Sequence, residues 1–367
     1  MDPVLIDAAK AFNIQFTNPG DPLIDQSSQL RAAFASMGDA ETGENFAFPP
    51  GIFAAADLDP LKVSVTGSGV RRTTFANLST TTRLFEMQPN QGPGWSGMGS
   101  AFQGVEGVTI DQRFCSGSAI KLSTQFNFIH DVAVRDQGGG RAGQAAIHVE
   151  NGTLCDLRNV HVLNSDNCMR LLDTHYVRGF NISLERQDGR ALRALNCPRV
   201  LINGLYTDNG NTRSVGKTVP EVSFVENCNS FRVFGWDQEL APSGNLDALQ
   251  GTNDGVKRAF NRFLNCMNVY LQGVAVSHST NNPSSFMFFF ENGGATMSGV
   301  EWNEKKNAMV LASGCGDIKR LIVEKVDAYN IATGSRWGVG MWYGKPAGAI
   351  IAARDWADHG QPVSHQL

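Results

Sequence analysis

The sequence predicts an all-β fold, a single-stranded right-handed parallel β-helix, and three observations carry that prediction. A motif of short apolar strand, Asn, small residue or Cys, then alternating strand recurs in HVENGTLCDLRNVHVLN, RALNCPRVLINGLYTDN, FVENCNSFRVFGWDQE, FLNCMNVYLQGVAVSHS and FFENGGATMSGVEWNEK. The marker residues are Asn151, Asp173, Asn196, Asn227, Asn265, Asn292 and Gly314, at spacings of 22, 23, 31, 38, 27 and 22. The shortest spacing returns and the longer ones exceed it, as when a solenoid repeat tolerates loops inserted between coils. The strands are short with alternating apolar side chains, as in NVHVLN and NVYLQGVAV, and too often interrupted to be helices.

The asparagines have a physical role. Asn tolerates the left-handed backbone of a tight corner between strands. Its amide can also bond the Asn one coil above or below. Leaving a buried amide unpaired would cost about 1–3 kcal/mol, so stacking in register is expected. Cys197, Cys228, Cys266 and Cys315 follow the corner and are expected to form a file of small apolar groups rather than a metal file. The seven cysteines contain no C-x-x-C pair, which predicts reduced, buried thiols and neither a zinc site nor a full disulfide framework.

Composition excludes several classes. The formal net charge of −4 offers no basic footprint for nucleic acid. No apolar run reaches the roughly 18 residues of a membrane-spanning helix. The start, MDPVLIDAAKAFNIQF, lacks a basic region followed by a long apolar core, so no secretory signal is expected.

Ahead of the repeats, Asp25 is placed to cap a helix over Gln26–Met37 with Leu30, Ala33, Phe34 and Met37 on its apolar face. FAFPPGIFAA and VSVTGSGVRRTTFA follow. This lead-in and the repeats together resemble the pectate-lyase-like family of right-handed parallel β-helices, in its phage tailspike and polysaccharide-degrading branch. The resemblance spans about Asn18 to Asn330, and it implies that the helix plugs the N-terminal end of the solenoid. The lead-in departs from the family in having PLIDQSS where a run of Asp and Thr is usual. The expected organisation is a lead-in with capping helix over residues 1–60, the β-helix over 61–330, and a C-terminal β-rich cap or association segment over 331–367.

Function on a solenoid sits on loops sharing one face. Long loops are expected at Gln88–Ser100, Asp136–Gly143, Thr207–Pro220 and Asp237–Arg258, with shorter ones between, so that two walls bound a groove suited to an extended polymer. Hydrolysis of a glycan needs two carboxyl groups about 5–5.5 Å or 6.5–9.5 Å apart. Glu185, Asp208, Asp237 and Glu239 lie near the strand ends bordering this groove and are the catalytic candidates. Asp237 and Glu239 are two apart and can point the same way. Trp95 and Trp236 are candidate sugar-stacking residues, and Asp136, His161, Arg186 and Arg213 candidate polar contacts. Elimination would instead require a base, with Arg or Lys to neutralise a uronate carboxyl. No metal site is expected, although calcium could be held by the Asp-rich turns.

The expected function is that of a tailspike-like protein that binds and cleaves a bacterial surface polysaccharide, in a virion tail or outside the cell. The expected partners are the polysaccharide, two further copies of the chain in a homotrimer, and other tail proteins. The alternatives are an extracellular bacterial lyase or glycoside hydrolase, and a non-catalytic structural or adhesive virion protein.

Overall fold

The structure is a computed structural model that describes residues 5–7, 14–15, 17, 20–36, 44–58, 63–87, 101–123, 125–139, 144–186, 189–208, 218–219, 221–240, 245–246, 258–278, 285–304, 310–329, 339–341 and 350–358. Two compact units comprise Met1–Ser183 and Leu184–Leu367. Both follow one plan, a right-handed parallel β-helix, the hand expected for parallel strands joined by crossovers.

In the first unit the long strands Ala101–Asp111, Phe126–Arg135 and Leu154–Ser165 pair in parallel, and the short strands Phe85–Met87, Ile120–Leu122, Ile147–Glu150 and Met169–Leu172 form a second parallel ladder. In the second unit Arg199–Asp208, Ser230–Leu240, Asn268–His278, Gly294–Glu304, Arg320–Tyr329 and Ile350–Asp358 make the long ladder. Leu192–Leu195, Ser223–Glu226, Arg258–Leu264, Ser285–Glu291, Val310–Cys315 and Val339–Met341 make the short one. The solenoid therefore runs past Asn330. Residues expected to leave the repeat as a cap add two strands in parallel register with those before them.

Asparagine marks the corner between short and long strands. Asn151, Asp173, Asn196, Asn227, Asn265 and Asn292 all have φ between 49° and 55°. In the second unit the Nδ2 atoms of Asn227, Asn265 and Asn292 donate to the Oδ1 atoms of Asn196, Asn227 and Asn265 at 2.9, 3.1 and 3.2 Å. Two expectations are corrected. The ladder is largely exposed to solvent rather than buried, so each bond contributes less than a buried amide pair. The next position is Gly316 rather than Gly314, because Glu291 pairs with Cys315. Cys315 is consequently outside the file formed by Cys197, Cys228 and Cys266. All seven cysteines are free and buried.

The long strands from Ala101–Asp111 to Arg320–Tyr329 also bend near their middle. The bend falls at Gly107, Asp131, Asn159 and Asn181 in the first unit, and at Gly204, Gly235, Gly273, Gly299 and Lys325 in the second, all with positive φ. In the first unit a second amide ladder runs here, from Asn181 to Asn159 at 2.9 Å and from Asn159 to Asp131 at 2.8 Å. The left-handed residue inserts one position into the in-out alternation. Val233 and Trp236 are both buried although three apart, and Phe234 and Asp237 both face out. This is the phase shift expected of a bulge.

The helix occupies Ser27–Ser36, with Leu30, Ala33 and Phe34 buried; Met37 lies outside the described residues. Asp25 Oδ1 accepts from the Ser27 amide at 2.9 Å and from its hydroxyl at 2.6 Å, and these bonds hold the Asp25 carboxyl below its usual range. Phe34 meets Phe46 edge-on at 5.2 Å. Inside the second unit Phe231, Phe263 and Phe290 pack in succession at 5.5 and 5.0 Å.

Candidate functional site

The stretch of each long strand after its bend presents two outward columns in the second unit. Parallel register places Tyr206, Asp237, Ala275, Glu301 and Asp327 in one column. It places Asp208, Glu239, Ser277 and Asn303 in the other. Glu185, on the Tyr176–Arg186 strand, stands close enough to Asp208 for their charges to interact. The candidate carboxylates thus lie on strands rather than in loops. Asp237 and Glu239 are exposed, with Gln238 between them fully buried.

Crowding of like charge sets the electrostatics. Burial, then Asp208, pushes the Glu185 carboxyl up. Burial, then Glu239 and Glu301, pushes the Asp237 carboxyl up. Burial also raises the Tyr206 hydroxyl, followed by Asp208, Glu239 and Asp237, and that hydroxyl donates to Glu239. Among the described residues, every charged group that moves Glu185 and Asp237 is another carboxylate. The face therefore offers carboxyls that keep their protons to higher pH beside others that accept hydrogen bonds, which is the requirement for acid–base chemistry at one bond.

Other expected contacts fall elsewhere. Trp236 is fully buried, with Nε1 donating to Thr207 Oγ1 at 3.0 Å and its ring against Phe288, so it cannot stack on a sugar from solvent. Arg186 is fully buried too, and its guanidinium donates to the Gly189 carbonyl; it is an interior group. Both corrections have one cause: the side chains alternate, and these two stand next to outward carboxylates at Asp237 and Glu185. Asp136 and His161 belong to the first unit. Asp136 takes a left-handed turn and accepts from Asn164 Nδ2, and His161 is half-buried on the Leu154–Ser165 strand. Arg190 pairs with Glu221 at 2.9 Å. Trp95, Arg213 and most of the expected groove walls lie outside the described residues. No three His, Cys, Asp or Glu side chains among the described residues come together to hold a metal ion.

Tyr206, Glu301 and Asp327 do not stand out as single letters, yet the sequence carries a signal for the columns. Glu185, Asp208 and Glu239 each lie 12 residues beyond a ladder residue, Asp173, Asn196 and Asn227 respectively. Tyr206 and Asp237 each lie 10 beyond. Counting from these residues aligns both columns through the coil of Asn265, whereas Glu301 lies 9 beyond Asn292 and falls out of the count.

No protein-family model and no curated protein sequence matches the chain. Solved structures resemble it. The enzymatically active domain of tailspike protein 2 from bacteriophage CBA120 superposes with a TM-score of 0.53 at 11% identity, over 84% of this chain and 47% of that one. The full-length tailspike protein 2 from an Escherichia coli O157:H7 bacteriophage gives 0.53 at 11%, over 86% and 42%. The A-module of a mannuronan C-5 epimerase from Azotobacter vinelandii gives 0.45 at 9%, over 98% and 99%. The chain spans less than half the length of these two tailspike structures. At such identities the likeness shows the fold alone, and the chain is a right-handed parallel β-helix.

Proposed function

We propose that this chain binds a bacterial surface polysaccharide across the carboxylate face of its second unit and hydrolyses it, as a tailspike-like component of a virion. The observation that carries the reading is the pairing of Asp237, pushed toward its protonated form by burial and neighbouring carboxylates, with Glu239, which accepts the Tyr206 hydroxyl. Alternate residues of a strand are about 6.6–6.8 Å apart and in-register neighbours about 4.8 Å. The same-strand pair suits the wider separation of an inverting hydrolase.

In that mechanism the Asp237 carboxyl gives its proton to the glycosidic oxygen as the C–O bond breaks. Glu239 takes a proton from a water whose oxygen bonds the anomeric carbon from the opposite face. Glu185 and Asp208 form a second pair one coil away. Neither step calls for a metal, so a chelator should leave the rate unchanged. Elimination is disfavoured because a uronate carboxyl needs a cation to neutralise it, whereas the charges acting on Asp237 among the described residues are negative. The tailspike likeness supports the virion setting, which brings with it the homotrimer and attachment to other tail proteins.

Incubation with a panel of capsular and O-antigen polysaccharides tests the reading. New reducing ends without absorbance near ~235 nm are expected for hydrolysis. Reducing ends with that absorbance would replace hydrolysis by elimination. Binding without cleavage would leave an adhesin, and neither would end the proposal. Light scattering of the purified chain reads the trimer.

A further inference from the structure

Before the bend, the outward side chains of the same strands have a different character. Asn203, Phe234 and Gln272 are register partners on three neighbouring coils, and Arg232 pairs with Tyr270 one pleat away. Phe231 and Val233 point inward, as do Val269 and Leu271, so Phe234 and Tyr270 face out, both half-buried. Their rings lie 5.8 Å apart, inclined at 53°. The Tyr270 hydroxyl donates to Gln272 Oε1 at 3.4 Å, which holds that ring beside an exposed amide. Aromatic faces take the apolar C–H face of a sugar, and amides supply both donors and acceptors for its hydroxyls.

Between this patch and the carboxylates runs the line of Gly204, Gly235 and Gly273, with φ of 75°, 71° and 64°. Space does not demand glycine at the middle position, since a Cβ added to Gly235 would meet its nearest atoms, in Gly204, at 4.0 Å. The corresponding bends at Asp131, Asn159, Asn181 and Lys325 accept side chains at similar φ. Glycine is favoured by its backbone freedom, and its consequence here is a seam free of side chains between two outward patches.

The geometry points to a sugar-binding subsite at Phe234 and Tyr270, with Asn203 and Gln272 as hydroxyl partners, for a neutral pyranose of the same glycan whose next units cross the glycine seam to Asp237 and Glu239. The inference rests on the proposed hydrolase reading for the identity of the ligand. It adds where the chain is gripped and that the gripped unit is uncharged.

The test measures affinity and cleavage separately, using the full chain, neutral hexasaccharides and the same panel of purified capsular and O-antigen polysaccharides. Phe234→Ala and Tyr270→Ala are expected to weaken binding of the recognised glycan about tenfold or more. Phe234→Tyr and Tyr270→Phe, which keep the rings, are expected to bind within about threefold of the unmodified chain, and this guards against a mere folding defect. The Asp237→Asn, Glu239→Gln double variant is expected to bind fully and not to cleave. Full affinity in both alanine variants overturns the subsite. So does failure of the unmodified chain to bind any neutral-sugar glycan in the panel. If the aromatic variants lose affinity while the double variant still cleaves, the subsite stands and the assignment of the catalytic pair falls.

Discussion

Asp208 and Glu239 are register partners on adjacent parallel strands, an arrangement that sets two carboxylates side by side on one outward face. Such a pairing opposes sheet stability, because like charges directly opposite one another repel. In this chain it is repeated, with Asp208 acting on Glu185, and Glu239 and Glu301 acting on Asp237. Strain of this kind persists where the surrounding core over-determines the backbone, and here that core is the phenylalanine and tryptophan packing beneath the strands.

Removing the pair should abolish turnover and spare the fold. Asp237→Asn and Glu239→Gln each lower kcat on the recognised polysaccharide by about 10²–10⁴-fold, the usual contribution of a general acid or base. Both side chains are exposed, so stability from urea denaturation should stay within about 0.5 kcal/mol of the unmodified protein. Full activity in both variants would displace the site from these residues.

The raised carboxyls give stability a pH dependence of known sign. A carboxyl whose folded pKa exceeds its unfolded value contributes most below the unfolded pKa, and the contribution is lost as pH rises through the folded one. Asp237, raised first by burial and then by Glu239 and Glu301, follows this rule. Glu239→Gln removes one of those charges and should bring the Asp237 pKa down toward the ordinary range. Carboxyl carbon NMR titration of Asp237 in the two proteins checks the shift, and an unchanged titration would show that Glu239 does not act on it.

The asparagine ladder can be separated into backbone and bonding parts. Asn227 holds φ at 54°, donates to Asn196 at 2.9 Å and accepts from Asn265 at 3.1 Å. Asn227→Ala loses both bonds and places alanine in a left-handed corner, at a cost of about 1–3 kcal/mol. Asn227→Gly keeps the corner and should cost less than the alanine variant. Urea denaturation reads both, and equal losses would mean that the bonds, not the corner, decide.

The ladder is legible in the sequence because Asn is one of few residues to tolerate that corner, so the backbone requirement appears as a letter. The bend is less legible. Its slot holds Gly on some coils and Asp, Asn or Lys on others, so no single letter marks it throughout. Without the bend the in-out phase after it stays unassigned, which is why the sequence suggests Trp236 as a stacking group. The solenoid beyond Asn330 is hidden for a related reason: that segment enters the register without the asparagine that marks earlier coils. Asp237 and Glu239 are visible because a spacing of two survives any phase error.

Acid should loosen the first unit at His148. This side chain is 7% exposed, and its Nε2 lies 3.3 Å from Glu150 Oε2. Lys121 bridges Glu150 at 2.8 Å and Glu86 at 3.1 Å, so one cation already serves both carboxylates. Burial lowers the His148 pKa to about 4; Glu150 opposes the shift, while Arg170 and Lys121 add to it. The imidazole is therefore neutral when folded and must charge on unfolding below its ordinary value of 6.5. Stability is fully present above about pH 6.5 and falls as pH drops toward about 4. Burial works against the Glu150 carboxylate, but Lys121 and the Ser123 hydroxyl hold that carboxyl low, so its contribution is lost in the same direction as it protonates. The His148 shift by itself amounts to a loss on the order of a few kcal/mol. His148→Gln keeps a polar side chain but does not titrate. Its urea midpoint should change less between pH 7 and pH 4 than that of the unmodified protein, and parallel pH profiles for the two would show that His148 is not the group responsible.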